Sequence, residues 1–419
     1  MSKIKQIFSR EILNSKATPT LETTVVLSDG TVASASCPSG TSVGSYEAAE
    51  LRDNDPEKFQ GKGVLKAVEN VEKIIAPILL DKDATKQQEI DNLMMHADGT
   101  LNKGKLGANA ILSVSMAVAK AASISLHLPL FMYLREYIKN ENIPLKIPTP
   151  AFNLINGGKH ANNNMDFQEF LVIPATSISY PESLNLATSV YQSIRKNLEE
   201  RNAISLTGDE GGYAPTFPTN KEGLTFLQEA IMETKYRPNY DVFLGLDCSA
   251  DNFYSSKEYK LKDSASAMSS EALVSFYNEL TKEFHFIYLE DPMSEDDWEG
   301  WANLNQKISH QTIIVGDDLV ATNPYRLQIA LDRKAITGII IKPNQIGTVI
   351  EALAMVEAAR LANLKIVVSH RSAETNDDFI ADFSVAVSAD YVKFGAPSRG
   401  ERVAKYNRLL LIDRQLRGI

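Results

Sequence analysis

The chain has 419 residues, 44% hydrophobic and 23% charged, and a formal net charge of −10. That length supports a large core and more than one domain, and the acidic balance argues against a nucleic-acid binder, which is usually basic. Its two cysteines, Cys37 and Cys248, form no CxxC pair, so neither a disulfide framework nor a zinc site is expected, and the thiols suit a reducing compartment.

The opening MSKIKQIFSREIL has no apolar h-region, so no signal peptide is expected and the protein reads as cytoplasmic. Residues 22–27 and 31–36 alternate in polarity around Asp29-Gly30, which predicts a β-hairpin. Helical periodicity follows over 64–79 and 107–126, where Ile111, Val114, Val118 and Ala122 form one stripe. The apolar run GANAILSVSMAVA is too short and serine-rich for a bilayer, so no membrane span is expected. GTLNKGKL at 99–106 has phosphate-loop spacing, but Leu106 stands where Ser or Thr would meet Mg²⁺, and it is rejected. Pro144, Pro148 and Pro150 then break any helix and predict a connector. The domain boundary is placed near 140, giving an α+β domain over 1–140 and a second domain over 141–419.

The second segment repeats short apolar runs: VFLGLD (242–247), FIYLED (286–291), TIIVGDD (312–318), GIIIK (338–342), KIVVSHR (365–371) and YVKFG (391–395). Such near-continuous runs suit parallel strands buried on both faces. Helical stretches alternate with them, as at 349–362, where Ile350, Leu353, Ala354, Val356 and Leu361 favour one side. About eight strand–helix units fit an (α/β)₈ barrel.

Reactive side chains gather at the ends of these runs: Asp247, Glu290, Asp317, Lys342, His370-Arg371, and Lys393 within the last. In a parallel barrel all would share the rim where active sites sit. Three carboxylates there need a positive partner, and oxygen ligands favour a hard cation such as Mg²⁺; the alternative is that each acid caps a helix. Asp291 and Asp318 adjoin these ligands but would point elsewhere. Lys342, near divalent cations, would lose proton affinity and serve as a general base, or else form a salt bridge to a rim carboxylate. Arg371-Ser372 and Lys393 offer a positive wall for an anion. His160 lies in a polar loop close to Gln168-Glu169. In LTGDEGGYAP (206–215), adjacent Asp209 and Glu210 sit between glycines, either as a solvated turn or as a bend aiming one carboxyl group into a cleft.

Taken in order, PSGTSVGSYEAAELRD (38–53), KLGANAILSVS (105–115), LINGGKHANNN (154–164), QEF (168–170), GDEGG (208–212), LDC (246–248), LEDP (289–292), GDDL (316–319), KPNQIGT (342–348), VVSHRSAET (367–375) and KFGAPSRGER (393–402) resemble the enolase family over essentially the whole chain. The resemblance implies a smaller N-terminal α+β domain capping a modified (α/β)₈ barrel. It also implies reversible dehydration of 2-phosphoglycerate to phosphoenolpyruvate with two Mg²⁺ per site, in a homodimer or larger homo-oligomer. By the same resemblance Asp247, Glu290 and Asp317 hold the first metal, and Ser42 joins the substrate phosphate on the second. Lys342 matches the general base, Glu210 the general acid and Glu169 its supporting carboxylate, which would help keep Glu210 in its acid form near neutral pH by repulsion. His160 matches a substrate-loop residue of the catalytic set, Gln168 and His370 match substrate contacts, Arg371 and Ser372 phosphate binders, and Lys393 a substrate carboxylate contact. PSGTSVG and the Gly157-Gly158 segment match lids.

The chain departs from the family pattern at Thr41 and Val43, at Ala373 where Gly is usual, and at Lys16 where an interface Arg is usual. A Gly position often needs φ > 0, so Ala373 is expected to shift the loop beside Ser372. Two other readings stay open: an acid-sugar dehydratase of the same superfamily, and a catalytically silent scaffold paralogue.

Overall fold

A computed structural model describes residues 2–40, 44, 46–139, 143–203 and 205–418. The N-terminal part is a three-stranded antiparallel sheet, β1 (Ile4–Leu13), β2 (Pro19–Leu27) and β3 (Val32–Ser36), in that order. β2 and β3 are the expected hairpin. β1 escaped the sequence reading because a register shift between Ile4 and Gln6 breaks its alternation. Helix α1 (Leu65–Asn70) runs through a π turn (Val71–Ile75) into α2 (Ala76–Leu79), covering the expected 64–79. Then come α3 (Gln87–Asp98), α4 (Ala108–Ser125) and α5 (Leu130–Arg135). α4 lies against β2 and β3, and its Ser113 Oγ meets Thr23 Oγ1 at 2.7 Å. It is the one helix among the described residues long and apolar enough to cross a membrane, and 83% of it is buried inside the molecule.

The C-terminal part begins with β4 (Thr149–Pro150), β5 (Phe152–Asn156) and β6 (Glu169–Pro174), then α6 (Tyr180–Glu200) and α7 (Asn220–Met232). β7 (Val242–Asp247) leads to a small hairpin, β8 (Tyr254–Ser255) and β9 (Glu258–Tyr259), and to α8 (Ser270–Phe284). Strands and helices then alternate: β10 (Tyr288–Glu290), α9 (Trp298–Ile308), β11 (Ile313–Gly316), α10 (Pro324–Asp332), β12 (Gly338–Ile341), α11 (Pro343–Ile346) and α12 (Val349–Leu361), followed by β13 (Lys365–Ser369), α13 (Phe379–Ala386), β14 (Tyr391–Lys393) and α14 (Gly400–Leu416). The nine-stranded sheet has the order β4-β14-β13-β12-β11-β10-β7-β6-β5. Only Ala151 separates β4 from β5, so the two form one stave joining the ends of the sheet into a barrel. Inside it Leu171, Ile173, Tyr288, Val315, Ile340 and Val367 pack together.

Two details differ from the expected uniform array. β6 runs antiparallel to both β5 and β7. Residues 157–168 hold only a short 3₁₀ turn, and a parallel crossover normally needs a helix there; the chain instead turns straight back, and α6 and α7 follow as a pair. On α12, Leu361 is 87% exposed and Ala354 also faces out, while Ala352, Met355 and Ala359 share the buried side. The boundary expected near 140 falls on residues 140–142, outside the described residues.

The two parts meet through ion pairs, among them Lys120 with Asp377 at 2.8 Å and Lys103 with Glu351 at 2.9 Å. Burial alone would raise the Asp377 carboxyl, but the Lys120 ammonium and the amides of Phe379 and Ser36 outweigh it and hold it below its ordinary value. A depressed carboxyl stabilises the fold above the unfolded-state value, and that contribution is lost as pH falls through the folded value. Lys120→Met strands a largely buried carboxylate that keeps its two amide donors and should cost about 1.5–3 kcal/mol at neutral pH. Urea unfolding should show the deficit shrinking once the medium is acidic enough to protonate Asp377 in both proteins.

Candidate active site

The sheet delivers one reactive group per stave to a single rim. β7 ends in Asp247, β10 in Glu290 and β14 in Lys393, while Asp317, Lys342 and His370 directly follow β11, β12 and β13. β6, being reversed, presents its first residue there, so Glu169 stands beside Asp247 in register, and Asp247 beside Glu290. These elements surround a solvent-connected cleft with about 460 Å³ of empty space. His160, Gln168, Glu169, Glu210, Asp247, Asp317, Lys342, His370, Arg371, Ser372 and Lys393 all line it. Glu290 lies beneath, fully buried. Ser42, with Thr41 and Val43, lies outside the described residues.

Cations hold the carboxylates. Lys393 Nζ is 2.6 Å from Glu290 Oε1, 2.9 Å from Asp247 Oδ2 and 3.3 Å from Glu169. Tyr288 donates to the other Glu290 oxygen at 2.5 Å, and Gln168 Nε2 lies 3.4 Å from Asp247 Oδ2. Lys342 Nζ pairs with Asp317 Oδ2. In the protein by itself burial would lower Lys342, yet Asp317 outweighs it and the ammonium is raised.

Asp291 and Asp318 do not point away as expected. Asp291 has φ 40°, which turns its carboxylate back to accept from the amides of Asp317 at 2.9 Å and Asp318 at 2.8 Å. Oxygens of Asp291, Asp317 and Asp318 all lie within 4.8 Å of one another, and Asp318 lines the cleft. Burial and then Asp317 push Asp318 up to about 7; burial and then Asp247 push Glu290 up to about 8. Asp317 Oδ1 is buried without a hydrogen-bond partner among the described residues. A free buried oxygen among carboxyls that repel one another is a donor set suited to a divalent cation, whose charge would relieve the repulsion.

The GDEGG bend sends its two acids apart. Asp209 turns to Lys16, with which it pairs. Glu210 is buried in the cleft, its Oε2 accepting from Asn153 Nδ2 at 3.1 Å. Its Oε1 lies 3.1 Å from His370 Nε2 and 3.8 Å from His160 Nδ1, and the latter is 3.6 Å from Glu169. A Cβ at Gly208 would stand 2.7 Å from the His160 carbonyl oxygen, and Gly211 adopts φ +89°, so both positions require glycine. Burial, then the neighbouring Glu210, raises Glu169 well above the ordinary carboxylate range. Burial acts on Glu210 too; charge on His370 and His160 would draw it well down, and with both imidazoles neutral the His370 hydrogen bond and the Arg402 guanidinium remain to lower it. Glu169 is thus the member of the pair raised above its ordinary range, whereas the expectation placed the acid form on Glu210. Burial pushes His370 down to about 4 and lowers His160 as well, so both imidazoles are neutral at neutral pH.

Two family models match the chain, "Enolase, N-terminal domain" over residues 4–134 and "Enolase, C-terminal TIM barrel domain" over residues 144–418. The chain belongs to the enolase family. Family membership accounts for a capping domain, a barrel and acidic groups suited to a divalent metal.

Within this enolase fold, one cleft residue, Glu47, and two buried residues behind the cleft, Asn153 and Arg402, carried no expectation from the sequence. Glu47, carried by the first loop, meets the Arg371 guanidinium at 2.7 and 3.2 Å. It lies within PSGTSVGSYEAAELRD, where nothing in the local pattern distinguishes it from the other acids. Asn153 and Arg402 had no signal beyond their segments. Ala373 does not strain its loop: it is absent from the positive-φ residues and exchanges backbone hydrogen bonds with Ser39 at 2.9 and 3.1 Å. An extended residue needs no glycine.

Proposed function

We propose that this enolase-family protein catalyses the reversible dehydration of 2-phosphoglycerate to phosphoenolpyruvate and water, acting as a lyase. One observation supports the reading: a lysine, a carboxyl pair and an arginine–serine pair, Lys342, Glu169/Glu210 and Arg371/Ser372, line the same cleft. Lys342, whose ammonium would give up its proton once cation charge weakens its hold on Asp317, would then take the α-proton from carbon. Glu210 gives a proton to the departing hydroxyl, which leaves as water. Glu169 stores that proton in the free protein, and the entry of an anionic substrate favours its delivery. Arg371 and Ser372 bind the phosphate, with His370 beside them, Lys393 faces the substrate carboxylate, and His160 and Gln168 fix the substrate's position.

Asp247, Glu290 and Asp317 would hold one Mg²⁺, and Ser42, with the substrate phosphate, a second. Bound there, the metals would supply positive charge against the negative charge that builds on the substrate carboxylate. The reading also includes a cytoplasmic setting, which the two buried free thiols suit.

The test is turnover of 2-phosphoglycerate, followed by the absorbance of the enol product. Chelation should abolish it and added Mg²⁺ restore it. Mg²⁺ should also raise the melting temperature, with about 2.7 kcal/mol of stabilisation at a hundredfold excess over Kd. Absence of turnover in saturating Mg²⁺ would reject the reaction.

A further inference from the structure

Arg402 has no part in the chemistry above, yet none of its side chain reaches solvent. It lies in the first turn of α14, behind the phosphate side of the cleft. One terminal nitrogen is 2.7 Å from His370 Nδ1 and donates to the Arg371 carbonyl at 2.6 Å. The other donates to the Ser372 carbonyl at 2.6 Å. Three consecutive residues of the β13 end are thereby tied to one guanidinium.

The contact with His370 has only one chemical solution. A guanidinium carries donors and no acceptor, so Nδ1 must accept. A neutral imidazole that accepts at Nδ1 carries its proton on Nε2, and an imidazolium would set two donors against each other. Nε2 is the nitrogen on the Glu210 side, 3.1 Å from Glu210 Oε1. It has no well-aligned partner among the described residues.

We propose that Arg402 is a positioning residue that locks His370 as a hydrogen-bond donor at Nε2. This rests on the reading of Glu210 as the group that hands a proton to the leaving hydroxyl. With Nδ1 occupied and Nε2 already protonated, His370 has no basic nitrogen to offer. It cannot drain the proton of the Glu169/Glu210 pair, which keeps that proton for the substrate. His370 instead steadies the Glu210 carboxylate after the transfer.

The test is ¹⁵N NMR of the histidine side chains in the full chain, with His370 assigned by a His370→Gln control. The parent should show a protonated Nε2 and a bare Nδ1 at His370. Arg402→Met should produce a mixture of tautomers and slow dehydration by about 10–100-fold, the range for partners that orient a functional histidine, while exchange of the α-proton with solvent falls less. Arg402→Lys, again donor-only, should restore the Nε2 tautomer. A proton on Nδ1 in the parent overturns the proposal without any variant. So does an Arg402→Met protein with unchanged tautomer and unchanged ratio of the two rates. If the parent shows Nε2 protonated but no turnover of 2-phosphoglycerate, the reaction is at fault and the hold of Arg402 on the ring stands.

Discussion

Lys342→Ala is expected to lower turnover of 2-phosphoglycerate by about 10²–10⁴-fold, the usual contribution of a positioned general base. Deuterium exchange at the substrate α-carbon should fall with it, because the same nitrogen takes that proton in both measurements. A lysine that merely balanced charge would behave differently. The variant would then leave exchange intact and lose stability, since Asp317 is buried and would be left without the ammonium that pairs with it. Normal exchange in the folded variant would remove Lys342 from the chemistry.

Glu210→Gln separates the second half of the reaction from the first. The amide keeps its size and its place beside Asn153 but has no proton to give, so dehydration should fall by about 10²–10⁴-fold while α-proton exchange persists. Glu169→Gln should also slow dehydration, because Glu210, drawn down by its neighbours, is then left ionised with no store to draw on. The raised Glu169 fixes the sign of the pH effect. A group with a raised value holds its proton below that value and loses it above, so dehydration in the parent should decline on the alkaline side and exchange should not decline with it. Ordinary dehydration by Glu210→Gln would reassign the acid.

How much of this was legible depended on the physics of each segment. β7 and β10–β14 are buried on both faces, and their unbroken apolar runs placed six rim residues within a residue or two of where they stand. β5 and β6 are as apolar, but they read as part of a proline-rich connector and a polar loop, so the reversed stave was missed, and with it the reason Glu169 reaches the rim. Glu210 was legible because glycine is the only residue that fits its bend. Asp291 was not, because its direction depends on a positive φ that a non-glycine residue gives no hint of. Arg402 was not, because the groups it serves are carbonyls and a ring nitrogen contributed by residues about thirty positions earlier, and such pairings are tertiary information.

The Arg371–Glu47 pair has a consequence for selectivity. An incoming anion finds the guanidinium already engaged by a carboxylate of the protein, buried and held at two points. It must evict that internal rival or crowd beside it, and the apparent affinity falls by the fraction of molecules in which the arginine is open. On the proposed reading, a singly charged acid would gain less from this exchange. A doubly charged phosphate would gain more, and the occupied arginine would then act as a threshold that sorts ligands by charge before any chemistry begins.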